Sequence, residues 1–284
     1  MIKLDFYLKT MLKKLFPYLF YLPSFVMAQS YVVYDFTHDR VLESRAPNNV
    51  QPIASVTKLM TAIIFLENNE NKNCAVAISS EDADYIKGTG TKLPKNTPIA
   101  CKELLTAMLV HSDNYAAHAL ARATGMSKAQ FIQKMNQKAQ QLGMRSTRFH
   151  DSSGLSSLNI SSAIDLVKLT KYSLNYPQIH VLSNTRAAYI KAGRRNVFVQ
   201  NTNRLVREEI FDAAINKTGY IRESGYNLVF VNKHHCNNAM IGVISLNNQS
   251  SAARSNFTKN KLQQYGCSAI NQDEYHGYDD ENES

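Results

Sequence analysis

Residues 30–36 (SYVVYDF) are dense in valine and aromatic side chains. That run predicts a strand, and a second short strand near Val41 predicts a hairpin around residues 37–40. Leu59, Met60, Ile63, Ile64 and Leu66 recur at helical spacing, so residues 54–66 are expected as a mostly buried helix with Ser55 at its start. The middle of the chain keeps that period, and residues 102–110, 115–123, 127–142 and 162–174 each read as a helix. Gly125 ends the second, Ser127 caps and Gly143 stops the third, and Pro177 closes the fourth. After about residue 187 the pattern changes to short runs rich in Val, Ile, Phe and Tyr. Those at 196–199, 214–220, 226–232 and 239–246 predict strands, and an amphipathic helix follows over 251–265. No internal repeat or Pro/Gly/Ser linker breaks this order. Strands at both ends with helices between predict an α/β (α+β) fold: an antiparallel sheet from both chain ends flanked by helices, plus a helical subdomain.

The first 28 residues stand apart. Lys3, Lys9, Lys13 and Lys14 face only Asp5, an apolar run follows over 15–27, and Val26 and Ala28 place small side chains where a signal peptidase reads. The run falls short of the roughly 20 residues a spanning helix needs, and it holds Pro17 and Pro23. A signal cleaved near Ala28 and a periplasmic body are expected. The chain carries +9 in all and +6 without residues 1–28; the segment 272–284 holds six acids and no Lys or Arg, so the body over 29–271 stands near +12. No zinc-finger, helix-turn-helix or aromatic–basic motif accompanies that charge. The expectation is therefore no nucleic acid, but peripheral association with an anionic envelope polymer or membrane surface. The acidic end is read as a solvated, disordered tail. Cys74, Cys101, Cys236 and Cys267 fit no zinc spacing and allow three pairings in an oxidising compartment. Cys74–Cys101 and Cys236–Cys267 each join one region of the chain, with free buried thiols as the alternative.

Three short motifs carry chemistry. A serine hydroxyl is a poor nucleophile until a base takes its proton. Eight histidines are present, but no Gly-x-Ser-x-Gly elbow. Ser55-Val56-Thr57-Lys58 offers a different base, because positions i and i+3 of a helix share a face. A lysine buried among apolar residues and other cations has its pKa lowered and can act near neutral pH. The helix start also supplies backbone N–H groups for an oxyanion. Ser112-Asp113-Asn114 falls between two helices, where a hydroxyl and a carboxamide can project into a cleft. Lys217-Thr218-Gly219 falls in a strand, where an ammonium and a hydroxyl can hold a carboxylate beside a glycine that permits close approach.

Ser-x-x-Lys, Ser-Asp-Asn and Lys-Thr-Gly in this order form the motif set of penicillin-binding proteins and class A β-lactamases, and the chain resembles that superfamily over nearly its whole length. A class A β-lactamase carries a glutamate ahead of Leu-Asn. Here Leu158-Asn159 follows Ser156-Ser157, and no Glu lies between Glu103 and Glu208. The chain therefore looks like the low-molecular-mass D-alanyl-D-alanine carboxypeptidases and endopeptidases. The run SVTKLMTA, Asp151-Ser152-Ser153-Gly154-Leu155, residues 161–166 and Asn201-Thr202-Asn203 add to the likeness. With about 65 residues after Lys217, the single-domain D,D-endopeptidases are the better match. A carboxypeptidase, or a β-lactamase or esterase on the same scaffold, is the alternative.

The resemblance implies roles. Ser55 is the nucleophile, Lys58 its base, and Ser112 a proton relay. Asn114 binds the substrate amide, Lys217 and Thr218 hold its carboxylate beside Gly219, and the N–H groups of Ser55 and Tyr220 form the oxyanion hole. Peptidoglycan peptide stems are the implied substrate, β-lactams are implied covalent inhibitors, and no metal or organic cofactor is implied.

Overall fold

The computed structural model describes residues 29–71, 73–234 and 238–266. The segment expected as a signal, the acidic end expected as a tail, Cys236 and Cys267 lie outside them. In chain order the elements are β1 (Ser30–Asp35), β2 (Arg40–Arg45), β3 (Gln51–Pro52), a 3-10 turn (Ala54–Thr57) leading into α1 (Lys58–Asn68), β4 (Ala75–Ala77) and β5 (Pro98–Ala100). Then come α2 (Cys101–Val110), α3 (Asn114–Ala123), α4 (Lys128–Gln141), β6 (Ile160–Ser161), α5 (Ala163–Ser173) and α6 (Pro177–Ser183). The chain continues through β7 (Ala187–Ala192), β8 (Arg195–Gln200), α7 (Arg204–Arg207), β9 (Ala213–Ile221), β10 (Gly225–Lys233), β11 (Met240–Asn248) and α8 (Ser251–Gln264).

The main sheet runs β2-β1-β11-β10-β9 with every pairing antiparallel, so the two chain ends meet at β1 and β11. Successive side chains of a strand face opposite ways. Val32, Val229, Val231, Ile244 and Leu246 accordingly face the larger core shared with the central helices. Val33, Leu228, Phe230, Ile241 and Val243 face a smaller core closed by Leu205 and Val206 of α7 and Leu262 of α8. Coverage on both faces explains why these strands read as unbroken apolar runs. β9 is an edge strand, and its outer side is where the catalytic motifs collect.

α1 is buried from Lys58 to Phe65, as a helix apolar on all sides must be, and the surrounding helices pack on it. Side-chain oxygens cap three of them: Asp113 on α3, Ser127 on α4 and Ser162 on α5. Ser127 and Gln130 form a reciprocal capping box.

Three expectations are corrected. The helix expected over 54–66 is split, with a 3-10 turn first and the α-helix beginning at Lys58. Pro177 does more than close α5, since it stands at the first position of α6, where its missing N–H costs nothing. The strand expected over 196–199 is the longer β8, paired with the unforeseen β7 in a second sheet, β4-β5-β7-β8, so the helical subdomain also carries strands. Cys74 and Cys101 form a disulfide with Cα atoms 5.4 Å apart, tying the loop before β4 to the start of α2.

Candidate active site

Ser55 sits in the 3-10 turn rather than in an α-helix. At three residues per turn, positions i and i+3 eclipse one another, and Lys58 Nζ donates to Ser55 Oγ at 2.9 Å. The turn is held in an unusual shape. Ala54 has φ 49°, and two glycines press on it. A Cβ on Gly154, itself at φ 87°, would land on the Ala54 carbonyl, and one on Gly219 would come within 2.6 Å of Ile53 O and 3.2 Å of Ser55 N. Gly219 thus lets the edge of β9 lie against the backbone of Ser55.

The fully buried Lys58 ammonium donates to two further acceptors, Asn114 Oδ1 at 2.7 Å and Ser153 O at 2.5 Å. Both are fixed from behind. Asn114 Nδ2 donates to Thr89 Oγ1 at 2.9 Å, and Thr89 Oγ1 donates to Asp84 Oδ2 at 2.6 Å. The Ser153 loop wraps around Asp151, whose carboxylate accepts from the N–H groups of Ser153, Gly154 and Ser156 and from the Asn159 amide.

The second motif supplies a strained serine. Ser112 has φ 62°, a left-handed conformation uncommon for a residue with a side chain and typical of functional turns. Asp113 locks the turn by accepting from Ala116 N–H at 2.8 Å and from the Thr91 hydroxyl at 2.6 Å. Ser112 Oγ then accepts from Lys217 Nζ at 2.9 Å. Lys217 also donates to Thr218 O, and the hydroxyls of Thr218 and Thr202 share a 2.5 Å hydrogen bond. Lys217 and Thr218 are buried in β9. Tyr220 extends outward, 54% exposed, and stacks on Tyr226 with ring centroids 4.3 Å apart.

Burial drives the Lys58 ammonium from its ordinary 10.5 down to about 7, against the pull of Asp151, Asp113 and Asp84. Desolvation does the lowering, as expected for a buried lysine, and the charges acting on Lys58 are carboxylates rather than the cations also expected around it. Lys217 is the residue pushed by a cation. Burial holds it well below its ordinary range, and the charges of Lys58 and Arg254 act in the same direction. Burial pushes Asp113 up. Asp151 and Asp84 are also pushed up by burial, but the hydrogen bonds they accept outweigh it and hold both below the usual carboxylate range.

Hydrogen bonds tie Ser55 to Lys58, Lys58 to Asn114 and Ser112 to Lys217 between β9, the 3-10 turn and the start of α3; Gly219 lies against Ser55 N, and Thr218 and Tyr220 flank it on β9. Reading the sequence missed Thr89, Asp84 and Thr202 as supports. Thr202 lies within the Asn-Thr-Asn match, whereas Asp84 and Thr89 lie in a loop without period. A buried amine with its pKa near neutrality, 2.9 Å from a hydroxyl, can take that hydroxyl's proton and return it.

A mixed antiparallel fold holding a serine, two buried lysines and a strained second serine in one cleft belongs to the penicillin-binding serine enzymes. Residues 22–250 match the family model described as D-alanyl-D-alanine carboxypeptidase, and the chain belongs to that peptidase family. It is 73% identical over 249 residues to the D-alanyl-D-alanine endopeptidase of Haemophilus influenzae, covering 88% of this chain and 85% of that one. The Streptomyces K15 DD-transpeptidase superposes with a TM-score of 0.76 at 26% identity, over 83% of this chain and 95% of that one. Penicillin-binding protein D2 of Listeria monocytogenes, solved in its ampicillin-bound form, superposes with a TM-score of 0.70 at 26% identity, over 82% and 95%. Among the described residues, no helix is long and apolar enough to cross a membrane.

Proposed function

We propose that the protein is a serine D,D-endopeptidase of the periplasm, exported by the segment 1–28, that opens D-alanyl–meso-diaminopimelyl crosslinks in peptidoglycan. The contact from Lys58 Nζ to Ser55 Oγ, with the amine brought to about 7, carries the reading. The 73% identity to a relative named an endopeptidase supports the choice of bond.

In this reading Ser55 Oγ attacks the carbonyl of the D-alanyl residue while Lys58 takes its proton. The N–H groups of Ser55 and Tyr220 meet the oxyanion. Ser112, fed by Lys217, passes a proton to the departing amine, which leaves an ester on Ser55. Asn114 holds the substrate amide, Lys217 and Thr218 hold its carboxylate, and water then releases the acyl group. Ahead of Leu158-Asn159, where class A β-lactamases carry their glutamate, this chain has Ser156 and Ser157, and the side chain of Asn159 is spent on Asp151 and on the His150 N–H. β-Lactams therefore acylate Ser55 and leave slowly.

The family's own description favours a second reading, a D-alanyl-D-alanine carboxypeptidase. Digestion of crosslinked muropeptide dimers beside pentapeptide monomers separates the two: cleaved dimers with intact pentapeptides support the endopeptidase, and the reverse supports the carboxypeptidase. Ser55→Ala is expected to lose both fluorescent-penicillin labelling and dimer cleavage. Cleavage persisting in that variant would refute the Ser55 acyl-enzyme.

A further inference from the structure

The β7–β8 hairpin presents a face that the catalytic reading does not use. Tyr189 and Phe198 pair across the strands with ring centroids 5.2 Å apart, yet they stay 69% and 44% exposed. Their neighbours on the other face, Ile190 and Val199, are buried, so the aromatic pair is not part of a core. The exposed Lys191 lies on the same face and Arg194 in the adjoining turn, and among the described residues neither stands in an ion pair. From Leu166 to Arg207 the chain has no acidic residue at all. An exposed aromatic pair, its rings tilted 51° to each other and bordered by unpaired cations, suits a partner with apolar ring faces and regularly placed carboxylates.

The direction of β8 says which such partner. Past Gln200, whose carbonyl lies 3.2 Å from His111 Nδ1, the strand runs straight into Asn201 and Thr202. Thr202 shares the 2.5 Å hydrogen bond with Thr218 inside the cleft. Thr202 lies four positions beyond Phe198, at most about 14 Å of extended chain, which a peptide of four or five residues also covers.

We infer that the Tyr189–Phe198 face is a docking site for the glycan strand of the polymeric substrate. Sugar rings lie on the two aromatic side chains, and the carboxylates of neighbouring stems pair with Lys191 and Arg194. A stem hanging from that strand then reaches Ser55. The inference rests on the peptidoglycan reading above and adds a second attachment point that only the polymer can use. A membrane-seated face would end in an apolar tip, whereas this hairpin turns through Gly193 and Arg194.

Two variants of the full chain test it: Tyr189→Ala with Phe198→Ala, and Lys191→Glu with Arg194→Glu. The second leaves the aromatic pair and its packing untouched. Each protein, first acylated with penicillin so that nothing is digested, is sedimented with purified sacculi. Both variants are expected to bind about tenfold more weakly than wild type and to release material from sacculi correspondingly more slowly. Penicillin acylation and cleavage of a soluble crosslinked dimer, which has no glycan strand to dock, are expected to stay within about twofold. Sacculus binding unchanged in both variants overturns the docking site. So does wild-type binding to phosphatidylglycerol vesicles, and not to sacculi, that the variants lose. A wild-type protein that fails to cleave the soluble dimer undermines the catalytic reading instead, and the sedimentation result stands apart from it.

Discussion

Replacing Lys58 with methionine separates what the buried amine costs the fold from what it gives the chemistry. In the folded protein its pKa lies at about 7 instead of 10.5. At about 1.4 kcal/mol per pH unit, keeping the charge inside at low pH costs about 5 kcal/mol. The unfolded chain holds that proton up to about pH 10.5, and the folded protein gives it up at about 7. Between those values the unfolded state carries the extra proton, so stability rises with pH. From about pH 6 to about pH 9 the wild type should gain about 3 kcal/mol that a methionine variant cannot. Stranding the Asn114 and Ser153 oxygens costs the variant about 1–3 kcal/mol each, but that loss is the same at every pH. Urea unfolding of both proteins at the two pH values isolates the titrating part. The same amine predicts penicillin acylation that climbs as pH rises through about 7 and is absent from the variant. A stability difference that does not change with pH would refute the depressed amine, and with it the neutral base.

Three other outcomes are expected. Gly154→Ala should lose about 3 kcal/mol or more in urea unfolding and most of its acylation rate, because its Cβ meets the Ala54 carbonyl at φ 87°. Gly143→Ala, also left-handed at φ 70° but facing open space, should lose only about 1 kcal/mol and keep its acylation rate. Thr89→Val removes the hydroxyl between Asn114 and Asp84 and should slow acylation about tenfold, measured by stopped-flow with a fluorescent penicillin. Cys74→Ser with Cys101→Ser opens a link across 27 positions and should cost about 3.5 kcal/mol, read from the shift of the urea midpoint.

The main sheet and most helices were legible because burial imposes a period that the side chains display. β7 was not, since AAYIKA has only Tyr189 and Ile190 as strand formers between alanines that favour a helix; pairing with β8 decides its state. The 3-10 turn at Ser55 was equally hidden. It exists because Gly154 and Gly219 allow two backbones to crowd Ala54, a tertiary contact that no local propensity encodes. The motifs named the residues, and the expected approach of Lys58 to Ser55 is a 2.9 Å hydrogen bond, while the structure adds an equal contact from Lys217 to Ser112. The supports at Asp84, Thr89 and Asp151 come from loops, where no period marks function.

Those loop carboxylates account for the value at which Lys58 settles. Burial alone would drive the amine far down, leaving it neutral at every relevant pH but too weakly basic to take a serine proton. Asp151, Asp113 and Asp84 each pull the other way. None of them is free to approach the nucleophile, because Asp151 is spent on its own loop, Asp113 on capping α3 and Asp84 on the turn through Thr89. The acids therefore act on the base through the field alone. Lys217 lacks such partners and has Lys58 and Arg254 as its charged neighbours, so it falls well below its ordinary range. Burial lowers both lysines of the cleft, and they differ in their charged neighbours: carboxylates carried by loops pull Lys58 up, whereas Lys58 and Arg254 push Lys217 further down.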